Sequence, residues 1–317
     1  MKLIIGTRGS ALALWQSRFV AKSIQMACPE VAYVELVTIK TSGDKLLDVP
    51  LAKIGSKGLF TKEIEEALID GNIDLAVHSM KDVPTDLPDG LHLAAAMKRE
   101  DARDVFVSRD GRRLEDLNEG ARIGTSSLRR RAFLLHGFPD LEAVPLRGNV
   151  DTRLRKIESD GLAGAVLAAA GMRRMGHGDR ITQYLEPGFM VPAVGQGALA
   201  IETREDDSRV NMLVSSLNDQ ATAWCVAVER SFLKRMGGGC QVPLAAHCTM
   251  LGDRALLVAA VAHPEGSPVL KESWEGPVQD VSIGAQIAER LLDKGGDSIL
   301  KSVLGSDWDA RSEVGGC

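Results

Sequence analysis

One sequence pattern occurs twice in this chain, and it limits the possible folds more than any other feature. A short apolar run at residues 2–6 is followed by a polar turn and a helical pattern that extends to residue 26. A second run, at 121–124, is followed by a polar turn and a helical pattern that continues through Leu135. The match between "IIGTRGSALAL" and "RIGTSSLRRRA" predicts two lobes built on the same strand, loop and helix.

Buried apolar runs alternate with helical stretches within both lobes. The runs at 73–77, 105–108 and 164–169 alternate with helical patterns at 61–69 and 150–159. This alternation predicts an α/β fold in which each lobe contains a parallel or mixed sheet. A ligand crevice would lie between the two lobes.

The pattern changes near Thr222. Three apolar runs follow, at 244–250, 255–263 and 269–274, separated by hairpin turns, and a last helix at about 282–292 would cover them. An antiparallel meander of this kind predicts a smaller α+β domain with a three-stranded sheet. The predicted domains are lobe 1 at 1–98, completed by 196–216 after a return crossing at 191–197, lobe 2 at 103–192, and a C-terminal domain at 220–317.

A run of three glycines, Gly237-Gly238-Gly239, places the thiol of Cys240 on a backbone with little side-chain cover. One glycine is enough to end the preceding helix in a left-handed C-cap. The other two indicate a mobile loop or the close approach of a bulky group. The alternative is a flexible turn that carries a small buried hydrophobe, but the glycines favour a functional Cys240.

Composition excludes several classes of function. With 317 residues and a net charge of −5, the molecule is not a nucleic-acid binder by overall charge. No stretch is long and apolar enough to span a membrane, and the N-terminal apolar run is too short for a signal peptide. Five cysteines without CxxC spacing indicate free thiols in the cytoplasm. No P-loop, GxGxxG, HExxH or GxSxG motif is present, and the scattered histidines predict no metal site.

Arginines occur where a helix disfavours them. Arg129, Arg130 and Arg131 lie in the first turns of a helix that Ser126 or Ser127 would cap. The positive end of the helix dipole disfavours cations there by ~0.3–1 kcal/mol each, which indicates a bound anion.

The start of the first helix repeats this arrangement, with Arg8 beside Ser10. Solvated surface charge is the alternative, but the concentration of cations in glycine-rich loops favours a site for a polyanion. The further basic residues of these loops are Lys53, Lys57, Arg147, Arg153 and Arg155.

Asp82 is the acidic counterpart of these cations. It follows a strand that ends near His78, and α/β folds bind ligands beyond the carboxyl ends of their strands. The alternative is an aspartate that only forms the turn before Pro84. Within a basic crevice, the carboxylate could accept a hydrogen bond from an N–H, shuttle a proton or stabilise a cation.

These motifs, in this order, closely resemble the porphobilinogen deaminase family over essentially the whole chain. The matching segments are "TRGSALALWQ", "LAKIGSKGLFTKEIE", "DLAVHSMKDVPT", "REDARDVFVS", "IGTSSLRRR", "LRGNVDTRL", "PAVGQGALAIE" and "GGGCQVP". The departures are peripheral: Ser42 stands where the family frequently has Arg, and the tail ends in Cys317.

The resemblance implies a cytoplasmic transferase of tetrapyrrole and haem biosynthesis. Such an enzyme joins four porphobilinogen molecules head to tail on a covalent dipyrromethane cofactor, releases ammonia at each step and hydrolyses the product to hydroxymethylbilane. The implied fold has two lobes similar to periplasmic binding proteins and a third domain. The oligomeric state stays open, although nothing in the sequence requires more than a monomer, and we expect no metal and no nucleic-acid or membrane partner.

The resemblance also implies roles for individual residues. Cys240 matches the cysteine that carries the cofactor as a thioether, and Asp82 matches the catalytic aspartate. The implied cofactor-binding residues are Lys81, Asp82, Thr125, Ser127, Arg129, Arg130, Arg147 and Gly148. The implied substrate-binding residues are Arg8, Ser10, Lys53, Lys57, Asn149, Arg153 and Gln196.

Two other classes of protein stay open from the residues alone. A non-catalytic bilobal receptor for an acidic metabolite would explain the lobes and the arginines, but it has no use for Cys240 or a third domain. It would also normally carry an export signal. A cysteine hydrolase would use Cys240, but it needs a paired histidine, and none is clearly placed.

Overall fold

The computed structural model describes residues 1–45, 58–238, 242–278, 280–305 and 308. The chain forms two compact units. Unit 1 comprises Met1–Glu100 and Gly197–Ala223, and unit 2 comprises Asp101–Gln196 and Trp224–Cys317. No helix within the described ranges has the length and apolar character needed to cross a membrane. The limits of three separate domains stay a prediction.

The helices and strands follow in three groups along the chain. Up to residue 100 they are β1 (Lys2–Thr7), α1 (Ala11–Ala27), β2 (Tyr33–Thr38), α2 (Ser42–Lys45), α3 (Lys62–Ile69), β3 (Leu75–Ser79) and β4 (Leu91–Ala96). From 101 to 196 they are β5 (Asp104–Ser108), β6 (Arg122–Gly124), α4 (Leu128–Gly137), β7 (Glu142–Val144), α5 (Val150–Ser159), β8 (Gly164–Ala168), α6 (Ala169–Arg174) and β9 (Gln183–Leu185). The remaining ones are β10 (Leu199–Arg204), α7 (Ser208–Ser215), α8 (Gln220–Arg235), β11 (Leu244–Leu251), β12 (Arg254–Ala262), β13 (Val269–Pro277), α9 (Ile283–Leu291) and α10 (Asp297–Leu304).

Lobe 1 is built on a five-stranded mixed sheet with the order β2-β1-β3-β10-β4. Strands β1, β2 and β3 are parallel, and β10 runs antiparallel to both β3 and β4. Helix α1 packs through Gln16, Val20 and Ile24, which are spaced four residues apart and therefore share one face. The sheet has the mixed character that the sequence predicts.

Lobe 2 repeats this arrangement with the order β7-β6-β8-β5-β9. Strands β6, β7 and β8 are parallel, and β5 runs antiparallel to its two neighbours. Strand β5 therefore holds the place in lobe 2 that β10 holds in lobe 1. The prediction of two lobes on one plan is confirmed.

The last part of the chain forms an antiparallel sheet with the order β11-β12-β13. Gly252, with φ +69°, makes the tight turn between β11 and β12. Helices α9 and α10 share an apolar core with this sheet, through residues such as Ile287, Leu291 and Leu300. The predicted three-stranded meander is confirmed, and Gly237, with φ +59°, follows α8 as the predicted left-handed glycine.

Candidate active site

The turns after β1 and β3 lie at the same edge of the lobe 1 sheet, because these parallel strands are hydrogen-bonded neighbours. We call this the carboxyl edge of lobe 1. The turn after β1 carries Arg8, whose guanidinium carbon lies 4.3 Å from the centroid of the Phe60 ring. Ser10 caps α1 by accepting a hydrogen bond from the Ala13 N–H at 3.3 Å. The turn after β3 carries Lys81 and Asp82.

Asp82 ends a single 3₁₀ turn, Met80–Asp82, and is half-buried. The backbone of this turn is fixed from two sides. Gln16 Nε2 donates to Ser79 Oγ at 2.8 Å, and the Met80 N–H donates to Ala198 O at 3.1 Å. Within the described ranges, the Asp82 carboxylate makes no hydrogen bond or ion pair. The turn therefore holds this carboxylate in place while leaving it available to a ligand.

The turns after β6 and β7 are joined by Ser126 in lobe 2. Its Oγ accepts from the Leu146 N–H and donates to Leu146 O, both at 3.0 Å. Ser127 is the residue that caps α4, because its Oγ accepts from the Arg130 N–H at 3.4 Å. Thr125 Oγ1 accepts from the Ser127 N–H at 3.2 Å. The sequence left open whether Ser126 or Ser127 caps this helix, and the structure shows that Ser127 does.

Asp104, fully buried at the start of β5, pairs with both arginines at the start of α4. Arg129 Nη1 donates to Asp104 Oδ2 at 2.6 Å and to Val191 O at 2.7 Å, and its Nη2 donates to Asp104 Oδ1 at 3.2 Å. Arg130 Nε donates to Asp104 Oδ1 at 2.9 Å, and its Nη1 donates to Val166 O at 3.1 Å. Both arginines are buried, at 4% and 6% exposure.

The environment of Asp104 keeps its carboxyl group ionised. Burial by itself would raise the pKa of Asp104, but the charges of Arg129 and Arg130, with hydrogen bonds from Arg129 and Gln196, hold it below the ordinary value of 3.8. Gln196 is fully buried, and its Nε2 donates to Asp104 Oδ1 at 3.0 Å and to Ala102 O at 2.7 Å. The structure thus places Gln196 against Asp104, and its contact with substrate stays a prediction.

One carboxylate faces two guanidinium groups in this cluster, so the cluster keeps one positive charge. Arg129 Nε and Arg130 Nη2 make no hydrogen bond within the part of the chain that is described. The sequence argument assigned the charge compensation of these arginines to a bound anion. The structure corrects that argument, because the chain itself supplies one anion, Asp104, which compensates one of the two positive charges.

Arg131 points away from this cluster. Its Nη2 contacts both carboxylate oxygens of Glu265, at 2.8 and 3.0 Å, and its Nε donates to Pro264 O at 3.2 Å. These residues lie in the turn between β12 and β13. The third arginine of the run therefore connects lobe 2 to the C-terminal sheet within unit 2, and a protein carboxylate compensates its charge.

The loop before α5 brings further cations to the carboxyl edge of lobe 2. Arg147 is half-buried there, and Arg153 Nε donates to Gly148 O at 2.7 Å. Gly148 has φ +116°, and a Cβ atom at this position would lie 2.6 Å from Thr152 Cγ2, so only glycine fits. Asn149 caps α5 by accepting from the Thr152 N–H at 2.9 Å.

Three of the predicted site residues lie outside the described residues: Lys53, Lys57 and Cys240. Among the residues that are described, no group of three or more His, Cys, Asp or Glu side chains could hold a metal ion.

Sequence reasoning missed Asp104. The residue stands directly before the apolar run of β5 in "REDARDVFVS", and a charged residue that begins a buried strand needs a buried partner. That rule could have linked Asp104 to the arginines of α4. The pairing itself depends on β5 lying beside β8, which no local pattern reveals.

Comparisons with known proteins match a single family along nearly the whole chain. The family profile described as "Porphobilinogen deaminase, dipyromethane cofactor binding domain" matches residues 3–212, and "Porphobilinogen deaminase, C-terminal domain" matches 223–293. Porphobilinogen deaminase of Syntrophotalea carbinolica is 54% identical over 302 residues, covering 95% of this chain and 96% of the relative. That of Geobacter sulfurreducens is 50% identical over 314 residues, covering 99% and 98%.

Solved structures give a weaker similarity. The VFT2 domain of Bordetella pertussis BvgS matches with a TM-score of 0.42 and 14% identity, covering 68% of this chain and 85% of that chain.

Proposed function

The chain belongs to the porphobilinogen deaminase family, the transferases of tetrapyrrole synthesis that contain a dipyrromethane cofactor-binding domain, and we propose that Asp82 is its catalytic group and Cys240 its cofactor anchor. The reaction is the head-to-tail condensation of four porphobilinogen molecules, with release of ammonia and final hydrolysis to hydroxymethylbilane. The observation that carries the assignment is Asp82 itself. Its backbone is fixed, and its carboxylate has no hydrogen-bond partner within the described ranges.

The residues of lobe 2 fit a ligand that carries several carboxylates. The cluster of Arg129, Arg130 and Asp104 has one positive charge in excess and retains unused N–H donors. Thr125 and Ser127 accept from backbone N–H groups, and their hydroxyl protons have no acceptor among the described residues. We assign the acetate and propionate groups of the cofactor to these donors, with Arg147 and Gly148 beside them.

The cofactor, when bound, supplies the pyrrole end at which each new ring is added. Asp82 performs two tasks on the incoming porphobilinogen. Its carboxylate accepts the hydrogen bond of the pyrrole N–H and so stabilises the cation that remains when ammonia departs. It then takes up the proton released from the ring carbon at which the new carbon–carbon bond forms. A half-buried carboxylate that has no partner among the described residues can do both.

The residues of the carboxyl edge of lobe 1, with the loop before α5, bind the substrate carboxylates in this proposal. Arg8 presents a guanidinium plane that Phe60 supports from one side, and arginine suits carboxylates because its N–H groups form a fork. Lys81, which precedes Asp82 in the same turn, is instead proposed to bind the cofactor. The other proposed substrate-binding residues are Ser10, Lys53, Lys57, Asn149, Arg153 and Gln196.

We further propose a cytoplasmic monomer that acts without nucleic acid. The net charge of −5 disfavours a nucleic-acid partner, and Cys28, Cys225 and Cys248 are buried and form no disulfide within the described ranges, as in a reducing compartment. Light scattering of the purified full chain tests the oligomeric state. A particle with twice the chain mass of 34.0 kDa would contradict the monomer.

Intact-mass measurement tests the cofactor anchor. The wild-type chain should carry the mass of a two-ring pyrrole unit, and Cys240→Ala should lose it. Cys28→Ala is the matched control, because Cys28 is a buried free thiol in lobe 1 and should keep the unit. An active wild-type chain with unmodified mass, or a modified Cys240→Ala chain, would contradict the assignment.

A further inference from the structure

Helix α8 carries a buried glutamate that the reaction proposed above does not use. Glu229 is fully buried, and its two carboxyl oxygens accept from backbone N–H groups of two different segments. Oε2 accepts from the Gly195 N–H at 2.7 Å, and Oε1 accepts from the Cys248 N–H at 2.8 Å. His247 Nδ1 lies 3.5 Å from Oε1. Because a buried carboxyl group is costly without such donors, these contacts fix the position of the Glu229 side chain.

The contact with Cys248 fixes Glu229 on the C-terminal sheet. Strand β11 lies at the edge of this sheet, and an edge strand has N–H groups that no neighbouring strand accepts. The N–H of Cys248 donates to Glu229 instead. Val228 and Phe232, on the same helix, are buried in the apolar core that α8 shares with the sheet. Glu229 is therefore held on the C-terminal domain by its own helix and by β11.

The contact with Gly195 fixes a tight turn at residues 193–196. The Gln196 N–H donates to Ala193 O at 3.0 Å across this turn, and Gly195 has φ +69°, which favours glycine. Val194 is buried in the apolar core of the C-terminal domain. One apolar side chain and one hydrogen bond to Glu229 therefore hold the turn on that domain.

The same turn reaches the ion-pair cluster of lobe 2. Gln196 Nε2 donates to Asp104 Oδ1 at 3.0 Å, and Asp104 pairs with both arginines at the start of α4. A few residues before the turn, Val191 O accepts from Arg129 Nη1 at 2.7 Å. The chain from Val191 to the turn is thus joined to the cluster at two points, and Glu229 holds the residue next to Gln196.

We propose that Glu229 is a positioning residue for cofactor binding. It fixes the 193–196 turn, so that Gln196 holds the Asp104 carboxylate in the orientation that aligns the two buried arginines. This inference rests on the proposed function, in which those arginines bind the cofactor carboxylates. A site whose cations are already aligned binds its ligand more tightly, because the side chains need no reorganisation. Since Cys240 follows α8 in sequence, this helix serves both the proposed anchor and the arginines.

Three full-length variants disturb the turn from its two sides. Glu229→Ala removes both acceptor oxygens, and Glu229→Gln keeps the size of the side chain but only one acceptor oxygen. Gly195→Ala strains the turn at φ +69° and leaves Glu229 in place.

Two control variants separate positioning from stability and from surface charge. Leu300→Ala removes a fully buried side chain of α10 from the same apolar core, so it lowers stability and keeps both hydrogen bonds of Glu229. Glu289→Gln removes the 48% exposed carboxylate that pairs with Arg235 of α8.

Hydrogen exchange measures the turn directly. We expect Glu229→Ala and Gly195→Ala to speed exchange of the Gln196 amide by roughly 10-fold, the scale of one buried hydrogen bond. Cys240→Ala accounts for any effect of a missing cofactor, so the increase must exceed that of Cys240→Ala. Neither Leu300→Ala nor Glu289→Gln should speed exchange selectively at the turn.

Intact mass measures cofactor loading as the second readout. Folded Glu229→Ala and Gly195→Ala should carry the two-ring mass in a fraction roughly 10-fold below wild type, with Glu229→Gln between them and wild type. Combining Glu229→Ala with Gly195→Ala should lower loading no further than the worse single variant, because both act through one turn. A purely structural glutamate would behave like Leu300→Ala, with a lower unfolding midpoint and wild-type loading.

Either measurement can overturn the proposal. Wild-type loading in folded Glu229→Ala, or unchanged exchange at the turn, would show that Glu229 does not position the cluster. If Glu229→Ala does not fold, Gly195→Ala decides by the same two measurements. Failure of the proposed function would show differently, as an active wild-type chain without the two-ring mass, and the exchange result would stand in that case.

Discussion

The two lobes have the same strand order, but the charged side chains at their carboxyl edges are paired differently. In lobe 2, Arg129 and Arg130 at the start of α4 are buried and paired with Asp104. In lobe 1, Arg8 at the corresponding helix start is half-buried over an aromatic ring. The acidic residue of that edge, Asp82, has no hydrogen-bond partner within the described ranges.

This difference suggests a division of labour. A site that holds a permanent ligand binds it more tightly when its cations are already fixed in position and mostly shielded from water. The side chains then need no reorganisation when the ligand binds. A site that binds successive substrates in turn needs side chains that stay available to hydrogen-bond each substrate. We therefore attribute cofactor retention chiefly to the arginines of lobe 2, and turnover chiefly to Asp82 and Arg8 of lobe 1.

The largest expected effect lies in lobe 2. Asp104→Asn removes the carboxylate that pairs with two buried guanidinium groups, and loss of one partner of a buried ion pair costs about 3–5 kcal/mol of the free energy of unfolding. Urea denaturation measures this. The matched control is Asp110→Asn, an exposed aspartate of the same lobe that pairs with Arg112 at 2.8 Å, and this variant should lose only about 1 kcal/mol or less.

Acid should reduce the difference between the wild-type chain and Asp104→Asn. Because the folded-state pKa of Asp104 lies below its ordinary value of 3.8, its stabilising contribution is present above that value and is lost as pH falls towards the folded pKa. Unfolding curves at successively lower pH should therefore converge. A gap that stays constant far below pH 3.8 would contradict the assigned ion pairs.

In lobe 1 the expected effect is on chemistry. Asp82→Asn keeps the size of the side chain but loses its basicity, so turnover should fall by at least roughly 10²-fold, as for a lost general acid–base group. The unfolding midpoint should barely move, because the wild-type carboxylate makes no hydrogen bond within the described ranges. Near-normal turnover in a variant loaded with cofactor would remove the catalytic role from Asp82.

A smaller effect is expected where lobe 2 meets the C-terminal sheet. Glu265→Gln removes the partner of Arg131, and both side chains reach solvent, at 65% and 33% exposure. Exposed ion pairs of this kind contribute about 1 kcal/mol or less, and added salt screens them. The loss should therefore shrink in high salt. A loss of unfolding free energy as large as that of Asp104→Asn would contradict the contrast between the buried and the exposed ion pair.

Local patterns were enough to predict much of this structure. The repeated strand, turn and helix predicted both lobes, and alternating apolar runs separated by turns predicted the C-terminal sheet. The turn of Asp82 was also predictable, because it follows an apolar strand and precedes Pro84.

Contacts between distant segments were not predictable from local patterns. Asp104 meets Arg129 only because β5 inserts beside β8, and His78 contacts Glu202 across 124 positions of the chain. The sequence therefore predicted arginines at a helix start. It did not predict Asp104 as their partner, so all of the compensating negative charge was assigned to a bound ligand. Pairings of this kind depend on sheet order, and no local periodicity encodes sheet order.

The division of labour between the lobes is tested most directly by counting pyrrole rings on the protein. Native mass spectrometry with limiting porphobilinogen can compare Arg8→Leu with Arg130→Leu, and Arg130→Lys keeps the charge that Asp104 needs while losing the fork. We expect Arg8→Leu to carry the two-ring cofactor but to stall before adding further rings. Both Arg130 variants should be deficient in the cofactor itself. Full cofactor loading in folded Arg130→Leu, or normal elongation in Arg8→Leu, would contradict the account.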